Sequence, residues 1–456
     1  MRLPAIPLPF GDVLRIATEY ERAGRLGEAE ALLVRCLAAA PNQPDALHEM
    51  GLVAFRQGRL SEALARMEAA IAHGIDTPLY WRNICTVYEQ LGRLNEAVAA
   101  GKKAVALDPA DPAAYHNLTI AHYRRLDLDA AIGCARQALA LDPTLPGAHF
   151  ALAEAQLLQG DLAAGWEEYE WRFRIPGAMG LLPEIPAPPW DGSPTEGTLL
   201  LLADQGFGDT IQFARYIPWA ATRAGRIVLI CGREMRPLLR QLLPEAALVT
   251  RWREAPACAA WCPLSGLPRL AGTRLGSIPA PIPYLTVEPE RAARWSARLD
   301  SLVPRGFRRI GIAWAGRPTH NNDANRSARL ADLAPLGGLP ETALVVLQKG
   351  AAAEQVRAYY GGAPLINLAT EIDGFADTAA AIAALDLVVS VDTSVVHLAG
   401  AMGRPVWILL AYGPDWRWLL GREDSPWYPT ARLFRQDAPR DWASALRKVT
   451  RALAEA

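Results

Sequence analysis

Gly24-Arg25-Leu26-Gly27-Glu28-Ala29 returns as Gly58-Arg59-Leu60-Ser61-Glu62-Ala63 and again as Gly92-Arg93-Leu94-Asn95-Glu96-Ala97, each copy 34 residues after the last. Gly160 lies on the same grid, and Leu126 occupies the one point without a glycine. Pro41, Pro109 and Pro143 form a second line of that spacing, and Ala29, Ala63, Ala97, Ala131 and Gly165 a third. A fixed period of this length signals stacked supersecondary units that cannot bury their apolar faces alone. The small residues mark where paired helices approach closely. Residues 10–175 therefore predict five helix–turn–helix units in a solenoid with a concave binding surface. The last unit departs from the pattern at Trp166-Glu167-Glu168-Tyr169-Glu170-Trp171-Arg172. Terminal repeats cap or dock a stack, and this one is expected to dock.

The period, the mid-repeat glycine and the closing proline together resemble the tetratricopeptide repeat. Glu28, Glu62 and Glu96 are expected on solvated repeat surface. On the inward register stand His48, Asn83, His116, Asn117 and Tyr123, a mixed polar and aromatic lining suited to peptide. Asn83 and Asn117 share one repeat position; Arg15, Glu49 and Ala151 fill it elsewhere.

A chain of 456 residues predicts more than one domain. The apolar share of 51% and charged share of 21% are ordinary for globular protein. A formal net charge of −1 with no basic run argues against nucleic acid as the main partner. Six scattered cysteines form no CxxC pair, so neither a zinc site nor a disulfide framework is indicated. The opening MRLPAIPLPF is a poor signal peptide, and no apolar stretch is long enough to span a bilayer. A cytoplasmic location is expected.

A proline-rich linker is expected over 176–197, where fixed φ angles and missing donors exclude a helix or central strand. Beyond it the period changes. Short apolar runs at Thr198–Ala203, Arg226–Cys231, Ile310–Trp314, Ala343–Leu347, Leu385–Val391 and Val406–Ala411 suit buried parallel strands. Helical patterns lie between them, so βαβ units and parallel sheets are expected. The expectation is two Rossmann-like domains, 198–304 and 305–435, and a terminal helical segment 436–456.

Ligands of such sheets bind at the carboxyl ends of strands. The turn Asp204-Gln205-Gly206-Phe207-Gly208-Asp209 ends the first run; its glycines admit close backbone approach. Asp209 either caps the following helix or faces a substrate. In Val391-Asp392-Thr393-Ser394-Val395-Val396-His397 a strand ends and a helix begins. Its free amides, with the Thr393 and Ser394 hydroxyls, make an anion site; a simple capped helix with a packed His397 is the alternative. The polar loop 316–327 carries Arg326, suited to a departing phosphate, or is only solvated. Gln348 and Lys349 end another strand, where a base or ribose could lie.

Taken together, ADQGFGDTIQFARY, VSVDTSVVHLAGAMGRPVW and DWRWLLGREDSPWYP resemble bacterial tetratricopeptide-repeat glycosyltransferases. Their catalytic part is similar to the ADP-heptose:lipopolysaccharide heptosyltransferases. The resemblance implies a GT-B fold, with a nucleotide-sugar donor held by the C-terminal half and the helix of 436–456 packing back on the first Rossmann-like domain. It implies Asp209 as catalytic base, Asp392 as a donor-binding residue, and Thr393, Ser394 and His397 in the phosphate-binding motif. Arg326 stands where that family places a lysine. The layout resembles the O-linked N-acetylglucosamine transferases, whose asparagine ladder grips a protein acceptor. An inverting transfer to Ser or Thr of a protein is therefore expected. No metal is expected, since the only Asp-x-Asp, Asp127-Leu128-Asp129, lies in the repeats. A glycan or lipopolysaccharide acceptor is one alternative, and a non-catalytic nucleotide-sugar-binding scaffold another. The tryptophans are expected to be packing residues.

Overall fold

A computed structural model of the chain describes residues 9–175, 185–243, 247–279, 281–320 and 322–455. Residues 176–184 of the expected linker lie outside this set. The chain divides into two compact units, Met1–Gln156 and Leu157–Ala456.

Among the described residues the first unit holds helices and no strand: α1 (Phe10–Arg22), α2 (Leu26–Ala39), α3 (Pro44–Arg56), α4 (Leu60–His73), α5 (Pro78–Gln90), α6 (Leu94–Leu107), α7 (Pro112–Arg124), α8 (Leu128–Leu141) and most of α9 (Pro146–Gln159). Helices α3, α5, α7 and α9 each begin on a proline, where the missing N–H would have had no intrahelical partner. Gly24, Gly58 and Gly92 turn the chain at φ of 73°, 75° and 75°, and Leu126 adopts 65° at the point that lacks a glycine. Ala29, Ala63, Ala97 and Ala131 are all fully buried. The glutamates of the repeated phrase pair with the arginine three residues earlier, as in Arg25–Glu28 at 2.8 Å and Arg93–Glu96 at 2.9 Å. These pairs are solvent-exposed and contribute little.

The second unit opens with the end of α9, α10 (Leu162–Tyr169) and a short 3-10 turn, Glu170–Arg174. Two parallel sheets follow. One holds β1 (Thr195–Leu202), β2 (Ala224–Ile230), β3 (Ala247–Val249) and β4 (Ala260–Pro263) in the order β3-β2-β1-β4. The other holds β5 (Arg308–Ala313), β6 (Thr342–Val346), β7 (Leu365–Asn367), β8 (Leu387–Val391), β9 (Val406–Leu410) and β10 (Ala431–Arg435) in the order β10-β9-β8-β5-β6-β7. The second order is that of a doubly wound nucleotide-binding sheet, whose order reverses between β5 and β8. In the first sheet the order reverses between β1 and β4. The connecting helices are α11 (Phe207–Ala214), α12 (Ile217–Ala221), the short α13 (Arg236–Leu239) and α14 (Leu267–Leu270), α15 (Pro289–Leu302), the one-turn α16 (Asp323–Arg326), α17 (Phe375–Ala383), α18 (Ser394–Ala401) and α19 (Trp442–Ala454). A tetratricopeptide solenoid followed by two parallel α/β lobes is compatible with the GT-B arrangement.

Three expected boundaries move. Residues 157–175 belong to the second unit. Buried Arg172 explains part of this: its guanidinium donates to Tyr169 O at 2.6 Å and to Ser265 Oγ, and lies 3.9 Å from the Asp204 carboxylate. Helix α15, expected with the first lobe, packs on α17 of the second. There Asp377 accepts from Arg291 at 2.6 Å and from the Trp295 indole at 3.2 Å. The terminal helix α19, expected to return to the first lobe, instead lies on the second. Its apolar face, Trp442, Ala445, Leu446, Val449 and Leu453, joins the core of Leu330, Leu333, Leu409 and Phe434. The chain crosses back through residues 415–428: Trp416 meets Trp166 edge-on at 5.1 Å, and buried Arg215 donates to Trp427 O at 3.0 Å.

Candidate active site

Both reversal points of strand order open onto one place. Asp209 follows β1, and Asp392 follows β8. Helix α11 packs against α18, so their N-termini approach each other. Gly208 makes this possible: a Cβ built on it would stand 2.8 Å from His397 Cδ2 and 3.6 Å from Ser394 Cα.

Asp209 caps its helix and also turns one oxygen toward the other lobe. Its Oδ2 accepts from Gly206 N at 3.1 Å, closing the first turn of α11. Its Oδ1 accepts from Arg417 Nη2 of the other lobe at 2.6 Å. Arg417 also reaches Asp415 Oδ2 at 3.3 Å. Burial alone would depress Arg417, but Asp415, Asp209 and Asp392 together hold it firmly charged. Burial pushes Asp415 up to about 6, and Asp392 and Asp209 add to the rise against the pull of Arg417. Burial also acts upward on Asp392; the His397 imidazole and Arg417 outweigh it and keep that carboxyl well below the usual range.

His397 is buried, and loss of water lowers its pKa despite Asp392 at 3.6 Å, so the ring is neutral at pH 7. Its Nδ1 pairs with Tyr428 OH at 2.9 Å, and its face stacks on Trp418. Tyr428 reaches it because Gly400 has no side chain: a Cβ there would stand 2.4 Å from the phenol ring. Ser390 Oγ lies 3.3 Å from Thr393 Oγ1 beneath the turn. The first two amides of α18, of Ser394 and Val395, have no intrahelical acceptor, whereas Val396 N donates to Thr393 O at 3.1 Å; the helix dipole favours an anion there.

Residues 316–320 and 322–327 follow the carboxyl end of β5. The Arg326 guanidinium packs on Gly316, and its Nε stands 3.9 Å from Asp323 Oδ1. His320, though open to solvent at its edge, has its pKa lowered by crowding first and by Arg326 second, against the pull of Asp209 and Asp392. That set of neighbours puts the loop within electrostatic reach of both aspartates.

Two expected donor contacts are corrected. Gln348 is buried and braces strand ends: its Oε1 accepts from Trp314 N and Ala315 N, each at 2.9 Å, and its Nε2 donates to Ala315 O and Lys349 O. Its hydrogen-bonding capacity is spent on backbone. The Lys349 ammonium donates to Ala369 O at 2.6 Å and Ile372 O at 2.7 Å, fastening the loop after β7. Gln205 faces the repeats' last helix, donating to Tyr169 OH at 3.1 Å.

In the first unit the expected groove is more self-satisfied than its sequence suggests. His48 is buried, stacks on Tyr80 at 4.5 Å and pairs with Asn83 Nδ2 at 3.0 Å; it does not line a surface. Asn117 spends its amide donors on Arg82 O and Thr86 Oγ1, at 3.1 and 3.0 Å. The His116 ring lies against Gly147, and Tyr123 packs beside Leu152 and Ala155. The ladder position thus ties adjacent repeats together.

Sequence reasoning missed Arg417, Asp415, His320 and Tyr428. The signal for the first was present: Asp415-Trp416-Arg417-Trp418 sets a cation between two aromatics, and such a cation is buried wherever the aromatics are. Trp416, Trp418 and Trp427 are buried packing residues, as expected.

Among the described residues no helix is long and apolar enough to cross a membrane. Residues 14–76, 48–112 and 118–170 match the tetratricopeptide repeat model. Residues 340–437 match glycosyltransferase family 9 (heptosyltransferase), which supports glycosyl transfer. Protein FlbA of Caulobacter vibrioides is 28% identical over 326 residues, 65% of this chain and 53% of that protein. The chain thus spans about half the length of the curated relative it matches. Among solved structures, MamA of Desulfovibrio magneticus RS-1 is 21% identical over 35% of this chain and 91% of its own, with a TM-score of 0.33. YrrB, described as a tetratricopeptide-repeat protein with an unusual peptide-binding site, is 18% identical over 35% of this chain and 82% of its own, with a TM-score of 0.31. One chain here joins tetratricopeptide repeats to a heptosyltransferase-like glycosyltransferase part.

Proposed function

We propose that the chain is an inverting, metal-independent glycosyltransferase that moves a sugar from a nucleotide-sugar donor to an acceptor hydroxyl, with Ser or Thr of a protein as the acceptor. The observation that carries the reading is the Asp209–Arg417 contact, which holds a carboxylate of one lobe beside the phosphate-type helix start of the other. The acceptor oxygen attacks the anomeric carbon as the bond from that carbon to the phosphate oxygen breaks. Asp209 takes the hydroxyl proton as general base. The leaving phosphate carries away the electron pair and is met by the amides of α18 and by nearby guanidinium groups. The helix start and guanidinium groups supply the positive charge that a metal ion supplies elsewhere.

A glycan acceptor is the second reading. It is favoured by the amides of Asn83 and Asn117, which are engaged within the repeats. Mass shifts on proteins co-purified with the active chain support the first reading; shifts on extracted glycans alone support the second. For the chemistry itself, Asp209→Asn is expected to lower transfer from a donor panel at least a hundredfold with folding intact. A variant that transfers at the wild-type rate removes Asp209 from the role of base.

A further inference from the structure

Arg417 is the cation the mechanism leaves unexplained. It is 8% exposed, and its Nε has no hydrogen-bond partner although that atom is fully buried. It meets Asp209 at 2.6 Å and Asp415 at 3.3 Å, with Asp392 also acting on it. Three carboxylates share one strong cation. A diphosphate approaching the start of α18 adds a further anion where three carboxylates already compete for Arg417. Both oxygens of Asp209 are also engaged, Oδ2 by Gly206 N at 3.1 Å and Oδ1 by Arg417 at 2.6 Å, so neither is free to meet an acceptor hydroxyl.

One rearrangement relieves both conflicts. We propose that Arg417 is an exchangeable counter-ion: it holds Asp209 in the donor-free enzyme and passes to the diphosphate when the donor binds, which frees Asp209 for the acceptor. The unpartnered Nε supplies a donor for a phosphate oxygen, and the planar fork suits two oxygens at once. Asp415, on the same short 3-10 turn (Trp416–Trp418), accepts from Arg417 N at 3.1 Å and keeps the backbone in place while the side chain changes partner. Donor binding then precedes productive acceptor binding. This deepens the proposed function and rests on it.

The test is calorimetric titration of ADP, GDP, UDP and CDP into the full chain and its variants. If the wild type binds one of them, Arg417→Gln is expected to bind that nucleotide at least tenfold more weakly, with Arg417→Lys intermediate. Asp209→Asn is expected to bind it at least threefold more tightly, because a neutral amide competes less for the guanidinium. A purely structural arginine predicts no tightening in Asp209→Asn. That variant keeps the proposal testable even where Arg417→Gln fails to fold. Unchanged or weaker binding by Asp209→Asn overturns the exchange. Should the wild type bind none of the four, nor UDP-, GDP-, ADP- or CMP-sugars, the donor reading itself falls and takes the proposal with it.

Discussion

Gly208 and His397 touch across the two lobes: any Cβ at position 208 would come within 2.8 Å of the imidazole. Gly208 lies in the first turn of α11 and His397 in that of α18, so this contact sets how near the two helix starts stand. Gly208→Ala is therefore expected to push the helices apart. Overpacking of this kind costs about 1–3 kcal/mol. The expected result is a modest fall in melting temperature with a drop in transfer rate of tenfold or more, read by donor turnover. Wild-type turnover in Gly208→Ala would show that the spacing does not matter to the site.

Arg172 gives a second prediction, concerning how the end of the repeats is fixed to the catalytic part. Both Arg172 and Asp204 are withdrawn from solvent, and Ser265 bridges them by donating to Asp204 while accepting from Arg172. Burial raises the Asp204 pKa, and Arg172 then Ser265 act against the rise. Removing one partner of a buried pair leaves an uncompensated charge at a cost of about 3–5 kcal/mol. Arg172→Met is expected to destabilise the second unit by about that range in urea unfolding. Arg172→Met/Asp204→Leu should recover part of the loss. Equal stability of Arg172→Met and wild type would mean that the pair is dispensable.

The sequence made the repeats legible because their period is written in backbone requirements: glycine at a positive φ, proline at N1, alanine at a helix crossing. The six longer strands were legible for a similar reason, as continuous apolar runs such as Ile310–Trp314. The strands β3, β4 and β7 were not, because three or four residues carry too little pattern, and β10 was not because Arg432 and Arg435 break its apolar run. Asp392 could be found as the residue that follows a strand, and Asp209 as the acid behind a Gly-x-Gly turn. The pairing of Asp209 with Arg417 could not, since the two are 208 positions apart and the contact exists only once two lobes meet. Gln348 and Lys349 misled because polar residues at a strand's carboxyl end serve equally well to brace the backbone.

Leu126 is the exception that the repeat grid exposes, and it can be repaired. It holds φ at 65°, a conformation that costs a side-chain-bearing residue about 1–2 kcal/mol. Glycine removes that strain but loses more chain entropy, by roughly 0.5–1 kcal/mol. Leu126→Gly is thus expected to stabilise the repeats by up to about 1 kcal/mol. Urea unfolding followed by far-ultraviolet circular dichroism checks this. A loss of stability would show that the half-buried leucine side chain contributes more than its backbone strain costs.

His48 makes the first unit sensitive to acid. Burial lowers its pKa to about 4; the nearby Asp45 opposes this and Arg82 adds to it. The unfolded chain binds a proton near the ordinary value of about 6.5. Above that pH the ring is neutral in both states, and its contribution is constant. Between 6.5 and 4 the unfolded state takes up the proton first, so stability falls as pH falls. The full effect is roughly 3 kcal/mol by the spacing of the two values. His48→Gln keeps an acceptor for Asn83 but does not titrate, so its stability should vary less with pH across that window. Among its described residues the first unit holds helices and no strand, and it contains Trp81 alone of the chain's 14 tryptophans. Circular dichroism therefore weights its unfolding, and tryptophan fluorescence weights that of the second unit. An identical pH slope in wild type and His48→Gln would show that another group carries the acid sensitivity.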